Sequence, residues 1–204
     1  SAFVQLPTVN WTLGGKAASA NARAESDEAK LVLVLERLSS LVRVHPVVSE
    51  AMQVVRYRKG EHYHYHMDAA DYTAVSDFDG ELAATKGRFV TALLYLNEGF
   101  EGGVTNFPLS TSSPSEAEPP PWLDRVNPES VKAAFNKCQS ARGLTVTPRE
   151  GRLVLFYNLL PNAFLTDQNA WHGSCDVTSY GGEKWSANLW FNLNLQVRMD
   201  MLKG

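Results

Sequence analysis

The sequence has few cysteines, little excess charge and no long apolar run, and each shortage excludes a class of protein. Two cysteines among 204 residues are too few for a small disulfide-framed protein, and too few for a thiolate metal site without histidine. The net charge of -3, with both signs interspersed, gives no reason to expect a nucleic-acid partner. No apolar run approaches the roughly 18 residues that span a bilayer. We therefore expect one globular domain without a membrane span in this chain.

The first part of the chain divides into an arm and a helix. Residues 1–25 are small and polar with no clear period, and they read as an N-terminal arm or loop. Ser26 offers a helix N-cap, and the acids that follow it suit a first helical turn. Apolar residues then recur at helical spacing, at Leu31, Leu35, Leu38 and Val42. The sequence predicts a helix of about four turns that opens a domain covering residues 26–204.

Short β-type runs dominate the rest of the chain. They are separated by clusters of Gly, Pro, Asn and Asp, the pattern of an antiparallel sandwich or barrel. The predicted strands are 52–57, 88–97, 144–146, 152–157 and 184–197. A Pro/Ser-rich excursion at 109–122 reads as an exposed loop, and a short helix at 127–138 is predicted to close it. The fold class is therefore mainly β, with helical additions.

The last predicted strand has two different faces, because alternate residues of a strand point to opposite sides. Its polar face carries Lys184, Ser186, Asn188 and Trp190, and its apolar face carries Trp185, Leu189, Phe191, Leu193 and Leu195. The polar face reads as either a solvated surface or the lining of a polar pocket. We expect the apolar face to pack against the predicted helix.

The stretch GEHYHYHMD, residues 60–68, carries the strongest chemical signal in the chain. If it is extended, three histidines and a carboxylate share one face, with Tyr63, Tyr65 and Met67 opposite. These four residues are His62, His64, His66 and Asp68. A facial iron site of two histidines and one carboxylate also needs a second histidine from elsewhere. His172, before a glycine and the polar-faced strand, is a better candidate than His45. A zinc site built on the three clustered histidines stays an alternative.

Six ordered blocks of the sequence resemble one known family, the prolyl 4-hydroxylases that depend on 2-oxoglutarate and Fe(II). The first block runs from Tyr57 to Asp68, with Gly60, Tyr63 and His66 between them. The others are RFVTALLYLN, GGVTNFP, LTVTPREGRLVLFYN, WHGSCDV and GEKWSANLWF. The resemblance covers about residues 28–195 and is nearest to the transmembrane or endoplasmic-reticulum branch. It implies a double-stranded β-helix, or jelly-roll, core with flanking N-terminal helices.

The resemblance also implies roles for individual residues. It makes His66, Asp68 and His172 the Fe(II) ligands and Lys184 the partner of the distal carboxylate of 2-oxoglutarate. Tyr57, Thr91 and Tyr95 match positions around that cosubstrate, and Tyr63 and Trp190 match positions near a peptide substrate. His62 and His64 have no family role, and a polar rim of the pocket is the reading we adopt for them.

The implied activity is hydroxylation of proline in a peptide or protein, with O2 consumed, succinate and CO2 released, and L-ascorbate keeping the iron reduced. Two other functions stay open: a dioxygenase of the same scaffold that acts on another side chain, and a peptide-binding module without catalysis. The family-like positions of Cys138 and Cys175 imply a disulfide. With the sequon Asn10-Trp11-Thr12, they favour the secretory pathway, while a cytoplasmic location stays possible.

Overall fold

The computed structural model describes residues 2–5, 27–70, 87–110, 138, 143–161 and 165–193. Within these residues the chain forms nine strands and one α-helix, α1 (Asp27–Val42). The strands are β1 (Ala2–Gln5), β2 (Gln53–Tyr57), β3 (Tyr63–His66), β4 (Arg88–Tyr95), β5 (Thr105–Phe107), β6 (Leu144–Val146), β7 (Leu153–Tyr157), β8 (His172–Ser174) and β9 (Lys184–Asn192). No helix in the described ranges is long and apolar enough to cross a membrane.

The strands form two antiparallel sheets. The larger sheet has the order β1-β2-β9-β4-β7, and the smaller has the order β3-β8-β5-β6. Strands far apart in the chain are neighbours in both sheets, which is the connectivity of a jelly roll. The predicted double-stranded β-helix is therefore confirmed. Of the flanking N-terminal helices, the described residues contain α1 and a 3-10 turn at Pro46–Val48.

Helix α1 covers one face of the larger sheet. Its buried residues Leu35, Leu38 and Val42 pack in one cluster with Ala187, Leu189 and Phe191 of β9. The apolar stripe of the helix and the apolar face of the last strand thus meet as predicted. The helix ends at Val42 because Arg43 takes a left-handed conformation, with φ 58°, and the Val44 N–H donates to the Ser39 carbonyl.

The predicted strands are confirmed within a residue or two, except that the last one ends at Asn192, with Leu193 outside the strand and residues 194–197 outside the described ranges. The sequence reading missed β1, β5 and β8. Strand β8 has the sequence HGS, which lacks the β-branched and aromatic residues of a typical strand. Ala2–Gln5, read as part of an arm, pairs with β2 at the edge of the larger sheet. The helix predicted at 127–138 lies outside the described residues except for its last position.

Candidate active site

A cavity of about 330 Å³ is lined by residues from both sheets. The larger sheet contributes Tyr57, Thr91, Lys184, Ser186, Asn188 and Trp190, and the smaller contributes Tyr63, His66, Thr105, His172 and Ser174. The polar face predicted for the last strand is therefore the wall of a pocket and not a solvated surface. The rest of the site is built on this cavity.

Two histidines and one aspartate meet at the cavity. Strand β3 runs antiparallel to β8, and this pairing puts His66 directly opposite His172. Asp68 follows two residues after β3, and the three ligand atoms lie within 4.8 Å of one another. Asp68 Oδ1 is 3.4 Å from His66 Nε2, and Asp68 Oδ2 is 3.7 Å from His172 Nε2. Two imidazoles and one carboxylate in this arrangement are the donor set of a non-haem iron site.

Backbone carbonyls hold both imidazoles in one tautomer. His66 Nδ1 donates to the His64 carbonyl at 2.8 Å, and His172 Nδ1 donates to the Ala170 carbonyl at 2.9 Å. Each ring therefore carries its proton on Nδ1 and turns the Nε2 lone pair toward Asp68. This second hydrogen bond is what metal-binding histidines usually make, because it fixes both the tautomer and the ring direction.

The protonation states at the triad suit a cation. Burial opposes ionisation of Asp68, but the neighbouring His172 and His66 rings and the Thr91 hydroxyl keep the pKa of that carboxyl well below its usual range. Burial and the nearby His66 lower the pKa of His172 to about 4, against the opposing effect of Asp68. At neutral pH the site therefore offers a carboxylate and a neutral imidazole, the forms that bind metals.

Lys184 is buried at the same cavity and lacks a carboxylate partner in the described part of the chain. Its side chain is 1% exposed, and Nζ donates to the Gly103 carbonyl and to Ser174 Oγ, each at 2.7 Å. A Cβ on residue 103 would lie 3.0 Å from the Lys184 side chain, so a glycine there lets the backbone approach the lysine. An ammonium has three protons. Lys184 can therefore donate to one more acceptor, and a carboxylate would also neutralise its charge.

The three residues predicted near the cosubstrate occupy different places. Tyr57 lines the cavity with its ring 5.0 Å from Lys184 Nζ, and burial raises the pKa of its phenol. Thr91 also lines the cavity, but its hydroxyl donates to Asp68 Oδ2 at 2.6 Å. Tyr95 is not among the lining residues; its hydroxyl donates to Thr105 Oγ1, and Thr105 lines the cavity. Tyr95 therefore supports the wall from behind.

Both residues predicted near a peptide substrate line the cavity. Tyr63 is 40% exposed, and its ring centroid is 4.6 Å from that of His66. Trp190 is buried beneath the Arg88 guanidinium, which lies 3.9 Å from the ring centroid. The expectation that Tyr63 lies on the face opposite His66 is wrong, because the β3–β8 register shifts between these two residues.

His62 and His64 do not line the cavity, so the reading of a polar rim is not supported. His62 Nδ1 lies 2.7 Å from Asp176 Oδ1, and the exposed His64 packs edge to face on His62. Among the described residues, the cluster that could hold a metal ion consists of His66, Asp68 and His172 and contains neither of them. A zinc site built on His62, His64 and His66 is therefore not formed. Asp176 serves as the partner of His62.

The sequence reading missed a charged pair on the cavity wall. Arg88 lines the cavity, and its guanidinium makes two hydrogen bonds of 2.6 Å to the Glu50 carboxylate. Asn192 Nδ2 also donates to Glu50, at 3.0 Å. The pair joins residues 38 positions apart. Arg88 opens a predicted strand and Glu50 lies in a loop, so neither residue type nor spacing signalled the contact.

The disulfide implied by the family resemblance is present. Cys138 and Cys175 are joined, with their Cα atoms 5.3 Å apart. Cys175 directly follows β8, which carries His172 and Ser174. The bridge therefore ties residue 138 to the strand that supplies one imidazole and one hydrogen-bond partner of Lys184.

Comparison with known proteins places this geometry in a family. The model of the 2OG-Fe(II) oxygenase superfamily matches residues 52–192. That range contains the triad, Lys184 and every strand except β1. A solved viral collagen prolyl hydroxylase from Paramecium Bursaria Chlorella virus-1, in complex with 2OG, shares the fold with a TM-score of 0.50 and 21% identity. The match covers 81% of this chain and 72% of the viral chain.

Curated relatives are more similar in sequence. Probable prolyl 4-hydroxylase 7 of Arabidopsis thaliana is 34% identical over 144 residues, which is 71% of this chain and 38% of the relative. The transmembrane prolyl 4-hydroxylase of Homo sapiens is 32% identical over 176 residues, with 79% of this chain and 34% of the relative covered. The chain thus spans between a third and a half of these relatives.

The burial of Lys184 predicts a dependence of stability on pH. Burial lowers its pKa to about 7 from the ordinary 10.5, so between these values the unfolded chain binds a proton that the folded chain does not. This lysine therefore makes the folded state less stable at pH 7, and the penalty disappears as the pH rises toward 10.5. We expect Lys184→Met to raise the free energy of unfolding at pH 7, with a gain over wild type that shrinks by pH 10.

Urea unfolding of the cofactor-free protein at several pH values measures this difference. Lys59→Met is the matched control, because Lys59 is exposed. A constant difference between Lys184→Met and wild type from pH 7 to pH 10 would contradict the prediction.

Proposed function

Because the chain belongs to the 2OG-Fe(II) oxygenase superfamily, we propose that it is the catalytic part of a prolyl 4-hydroxylase of the procollagen-proline dioxygenase type. The observation that carries the proposal is the placement, at one cavity, of three metal-binding groups and a buried lysine that has no carboxylate partner in the described part of the chain. The names of the Arabidopsis and human relatives support proline as the acceptor. The boundaries of the catalytic domain, residues 26–204, stay a prediction.

His66, Asp68 and His172 are the residues that would hold Fe(II). The donor set fits a metal. Hydrogen bonds that exist without the metal orient the two Nε2 lone pairs and the carboxylate toward one point. Such preorganisation lowers the cost of binding, because the ligands do not have to be ordered when the metal arrives. Three protein ligands leave open positions for a cosubstrate.

Lys184 would bind the distal carboxylate of 2-oxoglutarate. Gly103 and Ser174 hold its ammonium in place, and Tyr57 lies beside it on the cavity wall. A charged pair at this depth is protected from solvent screening, so it contributes to affinity and also orients the cosubstrate. Thr91 would act indirectly, through the carboxylate of Asp68, and Tyr95 through Thr105.

When bound, iron and 2-oxoglutarate supply the oxidative chemistry: O2 is consumed, 2-oxoglutarate becomes succinate and CO2, and one C–H bond of the substrate becomes C–OH. The protein positions the reacting groups and limits the access of water to them. The triad orients the reaction centre, Lys184 anchors the keto acid, and the apolar residues Val55, Leu93 and Phe156 line the same cavity and limit the access of water. L-ascorbate would restore iron oxidised without substrate turnover.

Tyr63 and Trp190 would contact the proline-containing peptide. The half-exposed Tyr63 stands next to His66 at the cavity, and Trp190 forms a wall on the opposite sheet. Aromatic faces suit a proline ring, which is apolar and rigid. A ring held between them would lie near the metal-binding groups, where the C–H bond has to be placed for reaction.

The proposed reaction predicts coupled products. With Fe(II), 2-oxoglutarate, ascorbate and air, a proline-containing peptide should gain one oxygen at proline and release one succinate per oxygen gained. The same peptide with alanine in place of each proline should gain none. Mass spectrometry of the peptide and a succinate assay measure both quantities. Oxygen added to another side chain would indicate a different oxygenase, and no succinate with iron bound would indicate a binding module.

Two variants of the same strand test the metal assignment in that assay. His66→Ala should lower turnover by at least about 100-fold, because it removes a ligand of the metal. His64→Ala, its matched control, should retain activity within a few-fold, since His64 is exposed and lies outside the triad. Turnover by His66→Ala close to that of wild type would remove this residue from the site.

The cosubstrate assignment predicts a specific effect of Lys184→Met. The apparent Kd for 2-oxoglutarate should rise by at least about 100-fold, because a carboxylate in the cavity would lose its charged partner. Titration of the anaerobic Fe(II)-loaded protein measures the constant. Lys59→Met should leave it unchanged. Equal affinity of Lys184→Met and wild type would show that the keto acid binds elsewhere.

We also propose that the chain works in the secretory pathway. The disulfide between Cys138 and Cys175 supports an oxidising compartment, and one relative bears the name transmembrane prolyl 4-hydroxylase. Protein isolated from its natural cells after rapid alkylation should contain the joined cysteines when it is analysed without reduction. Alkylation of both cysteines in such a sample would indicate a reducing compartment and would contradict the proposal.

A further inference from the structure

Asn158 is a fully buried residue directly after β7, and it reaches the candidate metal site through one intermediate. Its side-chain Nδ2 donates to Thr91 Oγ1 at 2.8 Å, and Thr91 Oγ1 donates to Asp68 Oδ2 at 2.6 Å. Asn158 is 0% exposed and Thr91 is 1% exposed. The three side chains form a buried relay that ends on the carboxylate of the triad.

The relay assigns different tasks to the two oxygens of Asp68. A hydroxyl has one proton, and the Asn158 amide occupies a lone pair of the Thr91 oxygen, so the Thr91 proton is directed to Asp68 Oδ2. Donation into a hydroxyl also makes that hydroxyl a stronger donor. Asp68 Oδ1, at 3.4 Å from His66 Nε2, does not take part in the relay and keeps its lone pairs for a metal.

The carbonyl oxygen of the Asn158 side chain indicates why the residue is an asparagine. Its Oδ1 is buried and has no hydrogen-bond partner among the described residues. An unpaired buried carbonyl destabilises a fold, and an apolar residue of the same size would avoid that cost. The NH2 group is thus the part of the side chain with a structural partner, and that partner is Thr91.

The backbone of Asn158 supports a second member of the triad. Its carbonyl accepts from the Asp167 N–H at 2.9 Å, and the Asp167 side chain caps the 3-10 turn Gln168–Ala170. The carbonyl of Ala170, at the end of that turn, accepts the His172 Nδ1 proton. The backbone contact does not depend on the side chain at position 158, so the two supports can be separated by mutation.

We propose that Asn158 is a positioning residue of the metal site. Through Thr91 its side chain engages Oδ2 of Asp68 and orients the carboxylate, which would leave Oδ1 as the oxygen that holds the metal. The inference rests on the proposed assignment of His66, Asp68 and His172 as the metal ligands. It adds a residue that contacts neither metal nor substrate.

Binding of Co(II) to the metal-free protein, without cosubstrate, tests the proposal. Asn158→Leu keeps the number and branching of the side-chain heavy atoms and removes the amide, and Thr91→Val keeps the shape and removes the hydroxyl. We expect each to weaken Co(II) binding by about tenfold, the lower end of the effect of outer hydrogen-bond partners on metal affinity. The visible Co(II) bands should also change in intensity, because they depend on the number of bound ligands. Asn192→Leu, the matched control, should bind Co(II) like wild type, because Asn192 contacts Glu50 and not the triad.

Three further measurements separate positioning from a general role in folding. The double variant Thr91→Val/Asn158→Leu should bind Co(II) no more weakly than Thr91→Val alone, because the side chain of Asn158 acts through that hydroxyl. The unfolding midpoint of Asn158→Leu in urea should stay close to that of wild type, since the leucine removes a carbonyl without a partner among the described residues along with the amide hydrogen bond. Thr91→Ser should restore the affinity lost in Thr91→Val.

Several results would overturn the proposal. Co(II) affinity of Asn158→Leu equal to that of wild type would show that the amide does not position the carboxylate. Additive losses of Co(II) affinity in the double variant would show that Asn158 does not act through Thr91. A loss of affinity that follows the loss of stability would assign Asn158 to the fold. These outcomes differ from failure of the proposed metal site, in which wild type and His66→Ala would bind Co(II) alike.

Discussion

The antiparallel pairing of β3 with β8 is the constraint on which the candidate site depends. It sets His66 opposite His172, and the short segment after β3 then returns Asp68 to the same cavity. Both imidazoles donate the Nδ1 proton to carbonyls two residues earlier in the chain, so ring direction follows from the local backbone. A slip of one residue in this pairing would send one imidazole to the other face of the sheet. The disulfide at Cys175 and the His62–Asp176 contact both lie at the other end of the pairing, next to the Tyr63–Ser174 pair.

The fold also has to keep two buried groups of opposite charge apart at one cavity. Asp68 and Lys184 are both buried, and neither neutralises the other. Burying an unpaired ion costs several kcal/mol, against a net stability of roughly 5–15 kcal/mol for a typical domain. Hydrogen bonds from Thr91 to the carboxylate, and from the ammonium to Gly103 and Ser174, offset part of that cost. The remainder is a strain that a cation and a dicarboxylate would relieve together, which links occupancy of the site to the stability of the domain.

Much of the fold was readable from local pattern. The stripe from Leu31 to Val42 and the apolar side of the last strand were predicted to meet, and they form the main core. The polar side of that strand, from Lys184 to Trp190, lines the cavity. Local pattern found the three-residue strand β6 but missed β5 and β8. Strand β8, with the sequence HGS, has no residue type enriched in strands, and pairing with β3 and β5 makes it a strand.

The sequence by itself determined the chemistry available: the H-x-D pair, the second histidine before a glycine, the lysine on a polar strand face and the ordered blocks of the family. Only the tertiary structure decided how these groups are used. The register shift in β3 turned Tyr63 toward His66, and Tyr95 proved to lie behind Thr105. The Asn158–Thr91–Asp68 relay joins three separate segments, and its existence depends on which donors face which acceptors after folding. Periodicity reports the face on which a residue lies, but a hydrogen bond between distant segments requires distances that only packing sets.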